Sequence, residues 1–222
     1  MVHKYGAGSG LIEVRLFRKG PLARLKLDVL NRFLTRLFGE GSAGLERSEV
    51  LGIPVVVENT RPDINTSDVI TRLEASLALI RQYVPHHFWH LRHDFNHVIV
   101  KRFACRGAYF YDQRACLVEL TFCVNPDFSD AQRAATILHE AMHARLHALG
   151  FPMEMDDRAK QERFCRRAEI EFGRLVPNGE RVVARAAETS ELSDEDVAPE
   201  IDPEIAAQRI AEVDRAALQN RL

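Results

Sequence analysis

His139-Glu140-Ala141-Met142-His143 sets two imidazoles and one carboxylate in the pattern H-E-x-x-H. Histidines four residues apart on a helix share a face about one turn from each other, so both can reach one metal ion. A glutamate directly after the first histidine can then reach a water on that ion and act as its base. The pattern fixes only three positions, so its surroundings carry much of the weight. Ser129 can cap a helix, and Gln132 three residues on completes a capping box. Ala131, Ala134, Ala135, Ile137, Leu138, Ala141, Met142 and Leu146 supply small and apolar faces, and Gly150 and Pro152 stop the helix. The competing reading is a helix whose histidines are only structural.

A catalytic zinc site needs three protein ligands and a water. His147 lies on the same face, but it is eight residues from His139, roughly 12 Å along the axis. One ion cannot bind all three. The arrangement H-E-x-x-H-x-x-G-x-x-H is excluded, because Leu146 and Leu149 stand where its glycine and third histidine would be. A carboxylate from a returning helix is the remaining route. Glu162 follows His143 by 19 residues, enough to finish one helix, turn through Gly150-Phe151-Pro152 and come back antiparallel. Glu169, seven residues further and roughly 10 Å along the axis, is the alternative third ligand. His147 is then an outer donor or a partly exposed helix residue.

The elements that must position these groups can be sketched from punctuation and periodicity. Leu11–Phe17 reads as a strand, and Gly20-Pro21 opens a helix to about Phe38. That helix is amphipathic and basic. Docking on a membrane or partner through residues 21–38 is possible, but its wide apolar arc favours packing on the domain. Residues 52–58 read as a strand. Ser67 caps a helix from Asp68 to about Tyr83, and Pro85 starts another to about Asn96. Val98–Val100 reads as a strand, a hairpin turns near Asp112-Gln113, and Leu117–Val124 reads as a strand leading to the metal helix. Asp157–Leu175 is the return helix. Beyond Gly179 the core thins, Thr189–Pro203 reads as an acidic mobile linker, and Pro203–Leu222 can form a last helix.

Composition sets outer limits. The chain has 222 residues, 46% of them hydrophobic, and a net charge of −2, which speaks against a general nucleic-acid binder. Eight Lys/Arg face three acids in the first 40 residues, whereas ten acids face three arginines from Glu188 onward. The acidic segment has two places to go: the basic N-terminal helix or the cleft. No apolar run reaches the 18 or so residues of a membrane span, and no secretory h-region is visible. Cys105, Cys116, Cys123 and Cys165 therefore read as reduced thiols in a cytoplasmic protein, with a Cys105–Cys116 bridge as the second reading.

With His139, Glu140, His143 and Glu162 in this order, the chain resembles the zincin superfamily of metallopeptidases, in its gluzincin arrangement. The runs His139–Leu146 and Glu162–Cys165 look like an uncharacterised bacterial group of such proteins. The resemblance covers roughly residues 67–177 and departs from a Glu-x-x-x-Asp pattern at Arg166. It implies an α+β, zincin-like fold: a small, mostly antiparallel sheet against the H-E-x-x-H helix and the ligand-bearing helix after it. Residues 1–60 would be an N-terminal extension, 61–180 the metallopeptidase domain, and 181–222 an acidic linker and helix. In that superfamily a strand like Leu117–Val124 edges the cleft and holds peptide by strand addition. The implied chemistry is hydrolysis of a peptide or protein substrate. Zn2+ on His139, His143 and Glu162 would activate a water and polarise the carbonyl, and Glu140 would be the base. Tyr109, Tyr111, His147 and Arg145 are candidate donors to the oxyanion.

Two further features compete for attention. His86, His87, His90, His93 and His97 cluster within twelve residues, and on a helix all but His87 share a stripe. A second metal site or pH-sensitive surface is the sharp reading, and a solvated polar stripe is the favoured one. Cys165 lies one turn past Glu162 and could approach the metal, but a small buried thiol is the simpler role. Three functions follow: a zinc peptidase, a catalytically inactive zincin-like metal-binding regulatory or interaction module, or an interaction protein whose pattern is accidental.

Overall fold

Apolar β-branched residues dominate Ile53–Glu58 and His97–Lys101, which suits strands buried on both faces. The computed structural model describes residues 45–151, 155–197 and 203–219. The expected strand at Leu11–Phe17 and the 21–38 helix lie outside them. Leu45–Val50 (β1) and Ile53–Glu58 (β2) form a hairpin around Leu51-Gly52. Both turn residues have positive φ (49° and 82°), which matches the right-handed twist of the paired strands. β2 then pairs in parallel with His97–Lys101 (β3), after a crossover through helices Thr66–Tyr83 (α1) and Pro85–Asp94 (α2). Gly107–Phe110 (β4) and Ala115–Glu119 (β5) are antiparallel to each other, and β5 is parallel to β3. The five-stranded order is β1-β2-β3-β5-β4.

The fold is α+β, but the sheet is mixed rather than mostly antiparallel, because two of its four pairings are parallel. Strand pairing is non-local, and the apolar runs of β2, β3 and β5 look the same for either direction. The drawn boundary at residue 60 does not separate β1 and β2 from the rest, since β2 sits inside the sheet. The expected strand Leu117–Val124 stops at Glu119. There the Glu119 carboxylate accepts from Phe122 N (2.7 Å), capping a short helix over Leu120–Val124 (α3). α1 is capped by Asn65 rather than Ser67.

Val55, Val57, Val98, Val100, Cys116 and Val118 face one core with α1, α2 and the H-E-x-x-H helix, Asp130–Ala148 (α4). Val56, Ile99 and Leu117, in register on the other face, are buried as well. Ser129 and Gln132 form the capping box at the start of α4, and Gly150 takes φ 76° just past its end. Met155–Leu175 (α5) returns against α4. Glu180–Ser190 (α6) packs on α5 through buried Val182 and Ala186, so the core continues past Gly179. A Cβ on Gly179 would lie 2.0 Å from the Gly173 carbonyl oxygen, so this turn tolerates no side chain there. Asp194–Val197 (α7) is helical within the stretch expected to be a linker, and Pro203–Gln219 (α8) is the last helix. No helix among the described residues is long and apolar enough to cross a membrane, and the four cysteines are free thiols.

Candidate metal centre

α4 and α5 run side by side and bring their chemistry-bearing residues together. His139, Glu140, His143, Glu162 and Glu169 are all buried. Glu162 reaches both imidazoles: its Oε2 lies 3.1 Å from His139 Nε2 and its Oε1 lies 3.3 Å from His143 Nε2. The two Nε2 atoms are 3.2 Å apart. Glu169 sits behind His139, whose Nδ1 donates to Glu169 Oε1 at 2.6 Å. Arg166, between the two acids on α5, donates to Glu169 Oε1 (2.6 Å) and lies 3.8 Å from Glu162. The i,i+3 and i,i+4 spacing of Arg166 to these glutamates was a signal available in the sequence.

These contacts fix the electrostatics. With the His139 Nδ1 proton committed to Glu169, Nε2 turns a lone pair toward a second imidazole and a carboxylate. Two imidazole nitrogens and both Glu162 oxygens converge, a donor set that suits a cation. Burial alone would depress the His139 pKa, but hydrogen bonds to Glu162 and Glu169 outweigh it and push it up to about 10. A metal ion can take the place of a proton on such donors. Burial also opposes charge on Glu162, yet the two histidines hold its carboxyl well below the usual carboxylate range. Glu140 shifts upward, because burial outweighs the pull of the histidines.

His139, His143 and Cys165 form a buried group that could hold a metal ion, their donor atoms lying within 4.8 Å of one another. Cys165 is fully buried on the same face of α5 as Glu162, and burial raises its thiol pKa well above the ordinary value. Cys165 is thus both the buried thiol favoured from the sequence and near the histidines, the approach to the metal that was its second reading. Tetrahedral geometry with bonds of about 2.0–2.1 Å puts ligand atoms roughly 3.3 Å from each other. Four donor atoms share separations close to that: Glu162 Oε2 to His139 Nε2 (3.1 Å), His139 Nε2 to His143 Nε2 (3.2 Å) and His143 Nε2 to Glu162 Oε1 (3.3 Å). Imidazole, carboxylate and thiol donors together suit a metal ion.

A cleft of about 1200 Å³ opens over this centre, lined by Tyr109 and Tyr111 among others. The remaining candidates divide around it. Tyr109 Oη shares a hydrogen bond with His147 Nδ1 (3.0 Å), and the His147 ring packs edge-on to Tyr111. Tyr111 is 38% exposed. Arg145 and His147 do not line the cleft, and Arg145 faces Asp94 at 3.7 Å. The histidine stripe is broken by the fold. α2 ends at Asp94, so His97 is a buried residue of β3, and no metal-binding group forms there among the described residues.

β4 closes on the centre through Gly107. A Cβ there would lie 2.7 Å from Thr136 Cγ2 and 2.9 Å from Glu140 Oε1. Gly107→Ala is expected to cost about 1–3 kcal/mol by overpacking, measured as a shift of the urea midpoint. Adding Thr136→Ser, which removes the blocking methyl, should return part of the loss. An unchanged midpoint in the single variant would show that β4 does not press on α4 in solution.

Comparison with protein-family models, with curated proteins and with solved structures gave no match to this chain. The functional reading therefore stands on the site's own chemistry.

Proposed function

We propose that this chain is a zinc-dependent peptidase of the zincin type in its gluzincin arrangement, with His139, His143 and Glu162 holding the ion and Glu140 as general base. The observation that carries the reading is the carboxylate of Glu162 on the return helix, whose two oxygens lie 3.1 and 3.3 Å from the His139 and His143 Nε2 atoms, themselves 3.2 Å apart. When bound, Zn2+ supplies Lewis acidity to a substrate carbonyl and to water. The chain's own residues do the rest. Glu169 and Arg166 fix the His139 ring, so its Nε2 faces inward. Glu140 takes a proton from the attacking water and passes it to the leaving amine nitrogen. Its upward-shifted carboxyl suits it to that traffic. Tyr111, exposed in the cleft, is the best placed donor to the developing oxyanion, because Tyr109 is tied to His147 and Arg145 to Asp94.

The substrate strand would lie along β4. The sheet order makes β4 the edge strand, whereas β5 lies between β3 and β4 and cannot edge the cleft. Gly107, Ala108 and Tyr109 of β4 line the cleft, as strand addition by an extended peptide requires.

One observation favours a second reading. If Cys165 joins the two histidines and Glu162, four protein ligands close the site, and the metal becomes structural in an inactive binding module. Glu162 is preferred because both of its oxygens lie within 3.3 Å of the imidazoles. The test is a zinc-loaded full chain against a quenched-fluorescent peptide library. Cleavage that stops with a chelator and returns with zinc is the expected result. Stoichiometric zinc with no peptide cut would favour the inactive module, and no bound zinc would end both readings.

A further inference from the structure

The last helix reaches the cleft. Ile205, Ala206, Arg209, Ile210 and Val213 of α8 line it together with His139, Glu140, His143 and Glu162. The helix is not sealed down, for Ile205 and Val213 remain 48% and 56% exposed. Asp214 ties it to the body by ion pairs. Arg61 Nη1 donates to Asp214 Oδ1 at 2.7 Å, and Arg102 Nε spans both oxygens at 3.1 and 3.2 Å. These two arginines hold the Asp214 carboxyl below its usual range even though burial opposes it.

The body builds the receiving end without help from α8. Arg61 is gripped in a two-bond fork by Asp63 (2.8 Å each). Arg102 is braced by the Glu119 carboxylate and by Thr121 Oγ1 (3.0 Å). Both guanidinium groups are therefore set in place, with the donors facing Asp214 fixed in direction, and with α8 docked both are about nine-tenths buried at the side chain. Buried guanidinium N–H groups aimed at one point select a carboxylate. Arg102 itself lines the cleft, so whatever fills that point is held against the cleft wall.

We propose that Arg61 and Arg102 form a carboxylate-binding subsite at the edge of the cleft. Asp214 fills it in the resting chain, and an acidic side chain of a polypeptide ligand takes it over when α8 lifts. This rests on the reading of the cleft as a polypeptide site, and it assigns that site an acidic residue in its ligand and an internal occupant. α8 is then a tethered competitor whose Asp214 carboxylate occupies the subsite.

The probe is a fluorescent synthetic peptide of residues 203–219, with Asp or with Asn at the position of Asp214. Anisotropy titrations use the full-length chain and its Asp214→Asn variant, with the peptide checked by mass spectrometry to be intact. The Asp214→Asn chain is expected to bind the Asp peptide at least about ten-fold more tightly than the parent chain does. It should also bind the Asn peptide at least about ten-fold more weakly than the Asp peptide. Adding Arg61→Gln should erase the difference between the peptides. Equal binding of the two peptides to the Asp214→Asn chain, or equal binding of the Asp peptide by the two chains, overturns the subsite. So does no binding at all. The peptide comparison changes only the ligand, so it does not depend on whether the arginine variant folds. Binding contrast without cleavage of any peptide would leave the subsite standing and remove the peptidase. Cleavage indifferent to acidic residues, with no binding contrast, would do the reverse.

Discussion

The Glu162→Ala chain is expected to hold zinc at least about 100-fold more weakly than the parent, as measured by competition with a chromophoric chelator. Losing an orienting partner of a ligand already costs about 10–100-fold, and Glu162 sets one oxygen beside each imidazole. Glu169→Gln provides the internal comparison. Its amide oxygen can still accept from His139 Nδ1, but it no longer brings a charge, so a loss of about 10–100-fold is expected. Cys165→Ser should change affinity little. If Cys165→Ser costs as much as Glu162→Ala, the site is closed by the thiol and the open, catalytic reading fails. Thermal melts of each metal-free variant separate loss of the ion from loss of the fold.

Glu140→Gln should act on rate and not on zinc. Glutamine keeps the size of the side chain beside Gly107 and Thr136, so the close approach of β4 survives. Zinc stoichiometry is expected to stay at parity, while kcat falls by about 10²–10⁴, the usual contribution of a positioned acid–base group. That corresponds to about 3–5 kcal/mol of barrier. The pH profile carries an independent signature. A base must be deprotonated, so the rate rises with pH through the Glu140 pKa, which burial shifts upward in the absence of a metal ion. That rise should vanish in the glutamine variant. A variant that retains full activity would remove Glu140 from the mechanism.

How much of this was legible beforehand depended on distance along the chain. The H-E-x-x-H helix announced itself through Ser129, Gln132 and its apolar face, all within about five turns. The return helix followed from the turn through Gly150-Phe151-Pro152, and that helix places Glu162 beside the histidines and Glu169 behind one of them. β1 escaped notice because Leu45–Val50 is an exposed edge with almost no apolar alternation. α3 was hidden because Leu120–Val124 is as apolar as a strand, and only the Glu119 cap reveals the change. The parallel pairings and the Arg61–Asp214 and Arg102–Asp214 contacts join residues tens to more than a hundred positions apart, where local pattern says nothing. The third-ligand question could be posed but not narrowed further by spacing, since Glu162, Cys165 and Glu169 all project from neighbouring turns of one helix.

The strand order has a consequence for how the molecule is made. β5 lies between β3 and β4, so the edge strand that borders the cleft has no neighbour until residues 115–119 exist. A chain emerging from the ribosome can form the β1–β2 hairpin and its crossover to β3 early, but β4 must wait with its backbone unpaired. α3 and α4 follow β5 almost at once, so completing the sheet and erecting the histidine helix fall in the same short interval of synthesis. Glu162 joins the histidines only about twenty residues later. The candidate metal ligands of a nascent chain therefore come together only after its sheet is whole.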